Sequence, residues 1–312
     1  MTAPKLSHQI PDPDNPNDPD GIGRMYSRYP GGTPEVPSIT TVIDVLNPKM
    51  EWWRGYCAGK EAIKFASLIV ERQKQSETDP EQWRHKEREI VNWISETSVR
   101  DMKVASQRGD LIHNYAEAVA RQMLGEDYDL KKEYTSTVEQ LQELYFKNKM
   151  EPDDAEGYLK AVHKFFEDFQ VVPITAEGTV WNDAVGYAGT NDLFCKINGK
   201  LTLLDWKTKK KLKDPRSRWY KPSIKETIAL QLEAAQHGEA VYSEVTNEWT
   251  DWEGINAEQQ VGVAIGPNGY EAIRVVRKPD TWETFKALRV AWGWVQPDNE
   301  HIVAVPLTPN DL

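Results

Sequence analysis

Apolar residues recur at helical spacing through the first half of the chain, shift to alternate positions in its middle, and return to helical spacing near the end. From Ser38, an N-cap residue type, the pattern predicts a short helix to about residue 47 and, after Pro48, a long one over 51–73. Thr78-Asp79-Pro80 opens another helix to about 96, and 99–124 carries an apolar face at Met102, Ala105, Leu111, Ile112, Tyr115, Ala116 and Val119. Further helices are predicted over about 137–149 and, after Pro152, to about 169. Between 171 and 206 the period is close to two, with Gly and Asn punctuation, which predicts strands. Ser223-Ile224-Lys225-Glu226 has capping-box spacing and predicts a helix to about 242. Residues 261–276 read as a hairpin and 280–295 as a closing helix. This order predicts an α/β or α+β protein, a mixed β-sheet flanked by helices over 99–295, preceded by a helical region over 38–98.

Residues 1–37 hold eight of the nineteen prolines with Asp12, Asp14, Asp18 and Asp20, and read as a flexible arm of mostly coil, as 296–312 reads as a tail. The 312 residues suit one large domain or a domain with an extra lobe, and 39% hydrophobic content excludes disorder of the whole. No run approaches the ~18 apolar residues of a membrane span, and the N-terminus lacks the basic and apolar regions of an export signal. The expectation is a cytoplasmic protein with no membrane partner. Its two cysteines, Cys57 and Cys195, cannot form a four-cysteine zinc site or iron–sulfur cluster.

The chemistry concentrates at 189–207. Asn198-Gly199 between apolar runs predicts a two-residue type I′ turn, which fixes the register of the flanking strands. Ile197 then faces Lys200 and, further along, Asp192 faces Asp205, with Lys207 on the same side as Asp205. Like charges opposed across two strands are destabilising, so a cation should compensate. One reading is that Lys207 and its basic neighbours neutralise an ordinary solvated face. The other is a divalent-metal site, since Mg²⁺ takes one or two carboxylates and keeps waters that a phosphate oxygen can displace.

The net charge of −11 argues against nucleic acid until its distribution is considered. Residues 207–221 carry eight Lys or Arg against one Asp, a basic stripe on an acidic body. Lys209, Lys210, Lys211, Lys213, Arg216, Arg218 and Lys221 are candidate phosphate contacts, and Trp219 a residue for stacking on a base or for packing.

An aspartate on one strand followed by Asp205-Trp206-Lys207 on the next resembles the signature of the PD-(D/E)XK nucleases. Gly189-Thr190-Asn191-Asp192 with Asp205-Trp206-Lys207-Thr208-Lys209 is similar to the RecB-like, bacteriophage-type exonuclease branch. Gly109, His113 and Glu117 resemble its helical G-x-x-x-H motif followed by Glu, and Glu177 stands where the branch has a strand glutamate. The branch's Q-x-x-x-Y motif is matched at Gln231 only, because Ala235 occupies the tyrosine position. Residues 37–47 are similar to segments near the start of such phage exonucleases.

The resemblance implies a restriction-endonuclease-like core and hydrolysis of DNA phosphodiesters with Mg²⁺ or Mn²⁺, in recombination, repair or phage replication. Asp192 and Asp205 would bind metal and His113 complete the shell, Lys207 would act on the attacking water, Glu177 would take part in catalysis, and Glu117 and Gln231 would support the site. DNA with accessible ends is the implied partner, with a recombination protein as a possible second one. No iron–sulfur cluster and no nucleotide are expected, since the chain has two cysteines and no G-x-x-x-x-G-K-[ST]. The rival readings are a non-catalytic DNA-binding or scaffold protein with the same fold, a structure-dependent endonuclease, and an enzyme for another phosphate ester.

Overall fold

The computed structural model describes residues 6–10, 23–46, 51–75, 80–148, 150, 153–218, 220–244 and 246–296. Its centre is a seven-stranded mixed sheet built from β4 (Val172–Asn182), β5 (Tyr187–Ile197), β6 (Lys200–Thr208), β7 (Ala240–Ser243), β8 (Glu248–Asp251), β9 (Gln259–Gly266) and β10 (Gly269–Arg274), in the order β10-β9-β6-β5-β4-β7-β8. Only β6 and β9 run parallel, and the connection between them carries the helix α8 (Ile228–Gln236). The remaining pairs are antiparallel.

Alternation along the strands sends apolar residues to two cores. Leu193, Cys195, Leu204, Trp206 and Val263 pack under α5 (Thr97–Met123) and α7 (Ala155–Asp168), with Phe166 stacked on Trp206. Phe194, Leu203 and Val180 pack on the other side with α1 (Ile39–Ile43), α8 and α9 (Thr281–Trp294). The protein is thus an α+β protein whose mixed sheet lies between helices.

The predicted turn is present: Asn198 (φ +49°) and Gly199 (φ +81°) join β5 to β6, Ile197 opposes Lys200, and the ladder continues to Leu193 opposite Leu204. Ser38 caps α1, its Oγ accepting the Thr41 N–H at 3.0 Å. The long helix predicted over 51–73 is two, α2 (Glu51–Lys64) and α3 (Ala66–Gln75), and α4 (Pro80–Ser95) matches its pattern. Helix α6 (Leu130–Lys147) starts seven residues before the expected 137, because Asp129 caps it by accepting the Lys132 N–H.

Three expectations are corrected. The Ser223 box starts no helix: its Oγ accepts the Lys213 N–H and its N–H donates to Glu271, folding the basic loop against the sheet edge, and α8 begins only at Ile228. That helix stops at Gln236 rather than 242, and the chain crosses Gly238, where a Cβ would lie 2.9 Å from Val180 Cβ, to form β7 beside β4. The N-terminal arm is not mostly coil where it is described. β1 (Ser7–Ile10), β2 (Gly23–Tyr26) and β3 (Val36–Pro37) form a second sheet, and Leu6 and Tyr26 bury against Trp181, Ala188 and Tyr242. Residues 297–312 of the tail lie outside the described residues.

Candidate active site

Asp192 lies at the centre of an acidic row. The β5–β6 register sets it opposite Asp205 and the β4–β5 register sets it opposite Glu177, yet regular pairing is interrupted at both positions. Glu177 has φ +51°, a left-handed conformation uncommon for a residue with a side chain. The register of β4 also shifts between Pro173 and Thr175. As a result Ile174 packs with the second core, Ala176 with the first and Val180 with the second, so the alternation breaks on either side of Ala176. Such irregularities re-aim a side chain, and here they turn Glu177 toward the two aspartates.

Each aspartate is held from a different direction. Asp192 Oδ2 accepts the Trp206 N–H at 2.6 Å and has His113 Nδ1 at 3.9 Å, from the facing helix α5. The nearly buried Asp205 carries Lys207 Nζ 2.6 Å from Oδ2, while Gln231 Nε2, from α8, donates to Oδ1. Gln231 Oε1 in turn accepts Lys207 Nζ at 3.1 Å, so one amide bridges carboxylate and ammonium. Lys207 on Oδ2 and the Gln231 amide on Oδ1 thus hold both oxygens of the Asp205 carboxylate. Glu117 pairs with Arg121 at 2.7 Å, and Arg121 also contacts Glu126 and Glu244.

The electrostatics report an excess of buried negative charge. Burial, with the charges of Asp192 and Glu117 beside it, pushes the Glu177 carboxyl from 4.5 up to about 9. Burial raises Asp205 to about 6 against the pull of Lys207, and raises Asp192 despite Lys207 and the Trp206 N–H. Burial alone would lower Lys207, but Asp205 and Asp192 outweigh it and hold the ammonium above its ordinary value. His113 keeps 26% of its side chain open, yet the protein around it lowers its pKa to about 4, so at neutral pH the imidazole is uncharged and able to accept or to ligate.

These groups surround one cavity of about 1170 Å³. Asp192, Asp205, Lys207, Glu177, His113, Glu117 and Gln231 all line it, so seven residues drawn from five elements are brought together. Gly109 of the helical motif does not line it, and a Cβ there would meet nothing within 4 Å. The basic stripe lies beside the cavity rather than in it: no described residue from Thr208 to Thr227 belongs to its lining. Lys209 is half-buried, whereas Lys210, Lys211, Lys213, Arg216, Arg218 and Lys221 are exposed on a loop tied to β10 by Tyr220 and Ser223 donating to Glu271. Trp219 lies outside the described residues.

The sequence reading passed over several lining residues. Asp110 and Asn114 share the stripe of α5 that carries His113 and Glu117, and the i, i+3, i+4, i+7 spacing was the available signal. Gln9, Arg24 and Tyr26, from the segment read as coil, also line the cavity and had no local signal.

Among the described residues no three His, Cys, Asp or Glu side chains stand close enough to hold a metal ion. The donor chemistry nevertheless fits a hard divalent cation: carboxyls raised above their ordinary range by burial and by neighbouring negative charge, with a neutral imidazole lining the same cavity. No family model and no curated protein matches the chain. A solved structure described as "Crystal structure of SSO0001" aligns with a TM-score of 0.28 and 14% identity, covering 62% of this chain and 76% of that one, a likeness too slight to carry an argument.

Proposed function

We propose that the protein hydrolyses phosphodiester bonds in DNA with the help of Mg²⁺ or Mn²⁺, acting from strand ends as the resemblance to RecB-like exonucleases suggests. The observation that carries this reading is the row Glu177, Asp192 and Asp205 across three neighbouring strands, with Lys207 two residues beyond Asp205 in one open cavity. Among the described residues, Lys207 is the one ammonium bound to this row, and the carboxyls stay raised in spite of it, so a divalent cation among them would offset negative charge that the surrounding side chains leave over.

Asp192 and Asp205 would hold the metal, with His113 or Glu177 beside them; a cation there supplies positive charge to a phosphate oxygen and acidifies a bound water. Lys207, reaching the cavity with 35% of its side chain exposed, stabilises negative charge on the phosphoryl oxygens in the transition state. Gln231 fixes the directions of Asp205 and Lys207 together. Glu177, which keeps its proton at neutral pH, would give that proton to the leaving oxygen of the cut phosphodiester. The exposed lysines and arginines of the 209–221 loop supply a backbone-binding surface outside the cavity.

Digestion of linear and covalently closed DNA with Mg²⁺, Mn²⁺ or EDTA tests the proposal, with Asp205→Ala and Lys207→Ala as controls. Metal-dependent loss of linear DNA alone, abolished in both variants, is the expected result. Cutting of closed circles would keep the chemistry and make the protein an endonuclease. Salt-sensitive binding with no cleavage under either metal would refute hydrolysis and favour a DNA-binding protein.

A further inference from the structure

One face of the β1–β2 pair also lines the cavity. Ser7 pairs with Tyr26 and Gln9 with Arg24, so these four side chains share one face, and all four line the cavity. That face points at the acidic row: Tyr26 Oη lies 3.0 Å from Thr190 Oγ1, and Thr190 is two residues along β5 from Asp192.

The backbone under Arg24 is clamped. Its N–H donates to Thr41 Oγ1 at 2.9 Å, and its carbonyl accepts from the Ser38 N–H at 2.8 Å and from Thr41 Oγ1 at 3.1 Å. Gly23 just before it has φ +105°, and a Cβ there would lie 2.5 Å from Thr41 Cγ2, so the close approach needs glycine. The side chain itself is exposed and makes no hydrogen bond or ion pair with any described residue.

Charge makes that freedom informative. Among the described residues, six carboxylates line the cavity against two Lys or Arg, and one of the two, Lys207, is held by Asp205 and Gln231. Among the described lining residues, Arg24 is therefore the one Lys or Arg that no acidic group holds, and an entering polyanion can take it. A guanidinium there offers two parallel N–H donors to a phosphate, and its clamped backbone fixes where the side chain starts.

We propose that the inner face of the β1–β2 hairpin is a phosphate subsite with Arg24 as its anion-binding group. It rests on the reading of the acidic row as the place where a nucleic-acid strand is cut, and adds the contact that holds that strand. The phosphate is either the terminal one of the strand or an internal diester next to the cut.

The test is equilibrium binding by fluorescence anisotropy in an Asp205→Asn background without divalent metal. The probes are internally labelled single-stranded oligodeoxynucleotides with a 5′-phosphate, a 3′-phosphate or hydroxyls at both ends, each titrated at several KCl concentrations. Adding Arg24→Gln is expected to weaken binding about tenfold. It is also expected to lower the slope of log affinity against log salt by about 0.7, with Arg24→Lys restoring the slope and part of the affinity. A loss confined to one phosphorylated end assigns the terminal phosphate, and an equal loss for all probes assigns an internal diester; either supports the subsite. Unchanged affinity and slope in Arg24→Gln, or no binding of any probe by the parent, would overturn it. Cleavage of the same probes by protein with Asp205 intact, run in parallel with Mg²⁺ or Mn²⁺, separates the two ideas. Arg24-dependent binding without cleavage refutes hydrolysis alone, and cleavage with Arg24-independent binding refutes the subsite alone.

Discussion

Replacing Glu177 by Gln should stabilise the protein at neutral pH in the absence of divalent metal. The wild-type carboxyl has an ordinary pKa of 4.5 in the unfolded chain and about 9 in the fold, so at pH 7 folding must take up a proton. A group raised in this way contributes its full share of stability below pH 4.5, and that share is lost as pH rises toward 9. The 2.5 units between pH 7 and 4.5, at about 1.4 kcal/mol each, give an upper figure of about 3.5 kcal/mol. Partial exposure and the sharing of charge with Asp192 reduce the expected gain to about 1–2 kcal/mol. Glutamine copies the neutral carboxyl in shape without the proton, and it tolerates the same left-handed backbone no worse than glutamate. Urea unfolding in EDTA at pH 5 and pH 7 measures the effect. The variant should be more stable than wild type at pH 7, with most of the gain gone at pH 5. Equal stability of the two proteins at both pH values, or a loss at pH 7, would show that Glu177 is compensated in a way the acidic row does not account for.

Three further outcomes follow from the same structure. Lys207→Met removes the cation nearest to Asp205 and should cost about 3 kcal/mol at pH 8 and clearly less at pH 5, where the carboxylates can take protons; a pH-independent loss in urea melts would contradict that origin. Gly189→Ala would place a Cβ 2.5 Å from Ile39 Cδ1, so it should destabilise by about 1–3 kcal/mol and be partly rescued by Ile39→Ala, which a double-mutant cycle of thermal midpoints would show as coupling. Gly199→Ala, at φ +81° in the β5–β6 turn, should cost about 1 kcal/mol of stability without displacing Asp192 from Asp205, a result visible as lowered thermal stability with unchanged near-ultraviolet circular dichroism.

The sequence alone determined what local chemistry dictates. Asn198-Gly199 requires two positive φ angles, so one turn type and one register follow, and with them the facing of Asp192 and Asp205 and the side on which Lys207 lies. The stripe of α5 bearing His113 and Glu117 was legible for the same reason, since helix geometry is set by near neighbours. Tertiary structure alone decided what depends on partners far along the chain. The short strands β1 to β3 carry no pattern of their own and exist because Leu6 and Tyr26 find Trp181, Ala188 and Tyr242. β7 forms because β4, some sixty residues earlier, offers it a free edge, which overrides the helical reading of the same residues. The Ser223 box was spent on Lys213 and Glu271 instead of on a helix, and the basic stripe was thereby laid beside the cavity rather than inside it. The backbone break at Glu177 and the clamp beneath Arg24 belong to this second class. Both are imposed by packing between segments that meet only in the folded chain, and a local reading holds no term for such contacts.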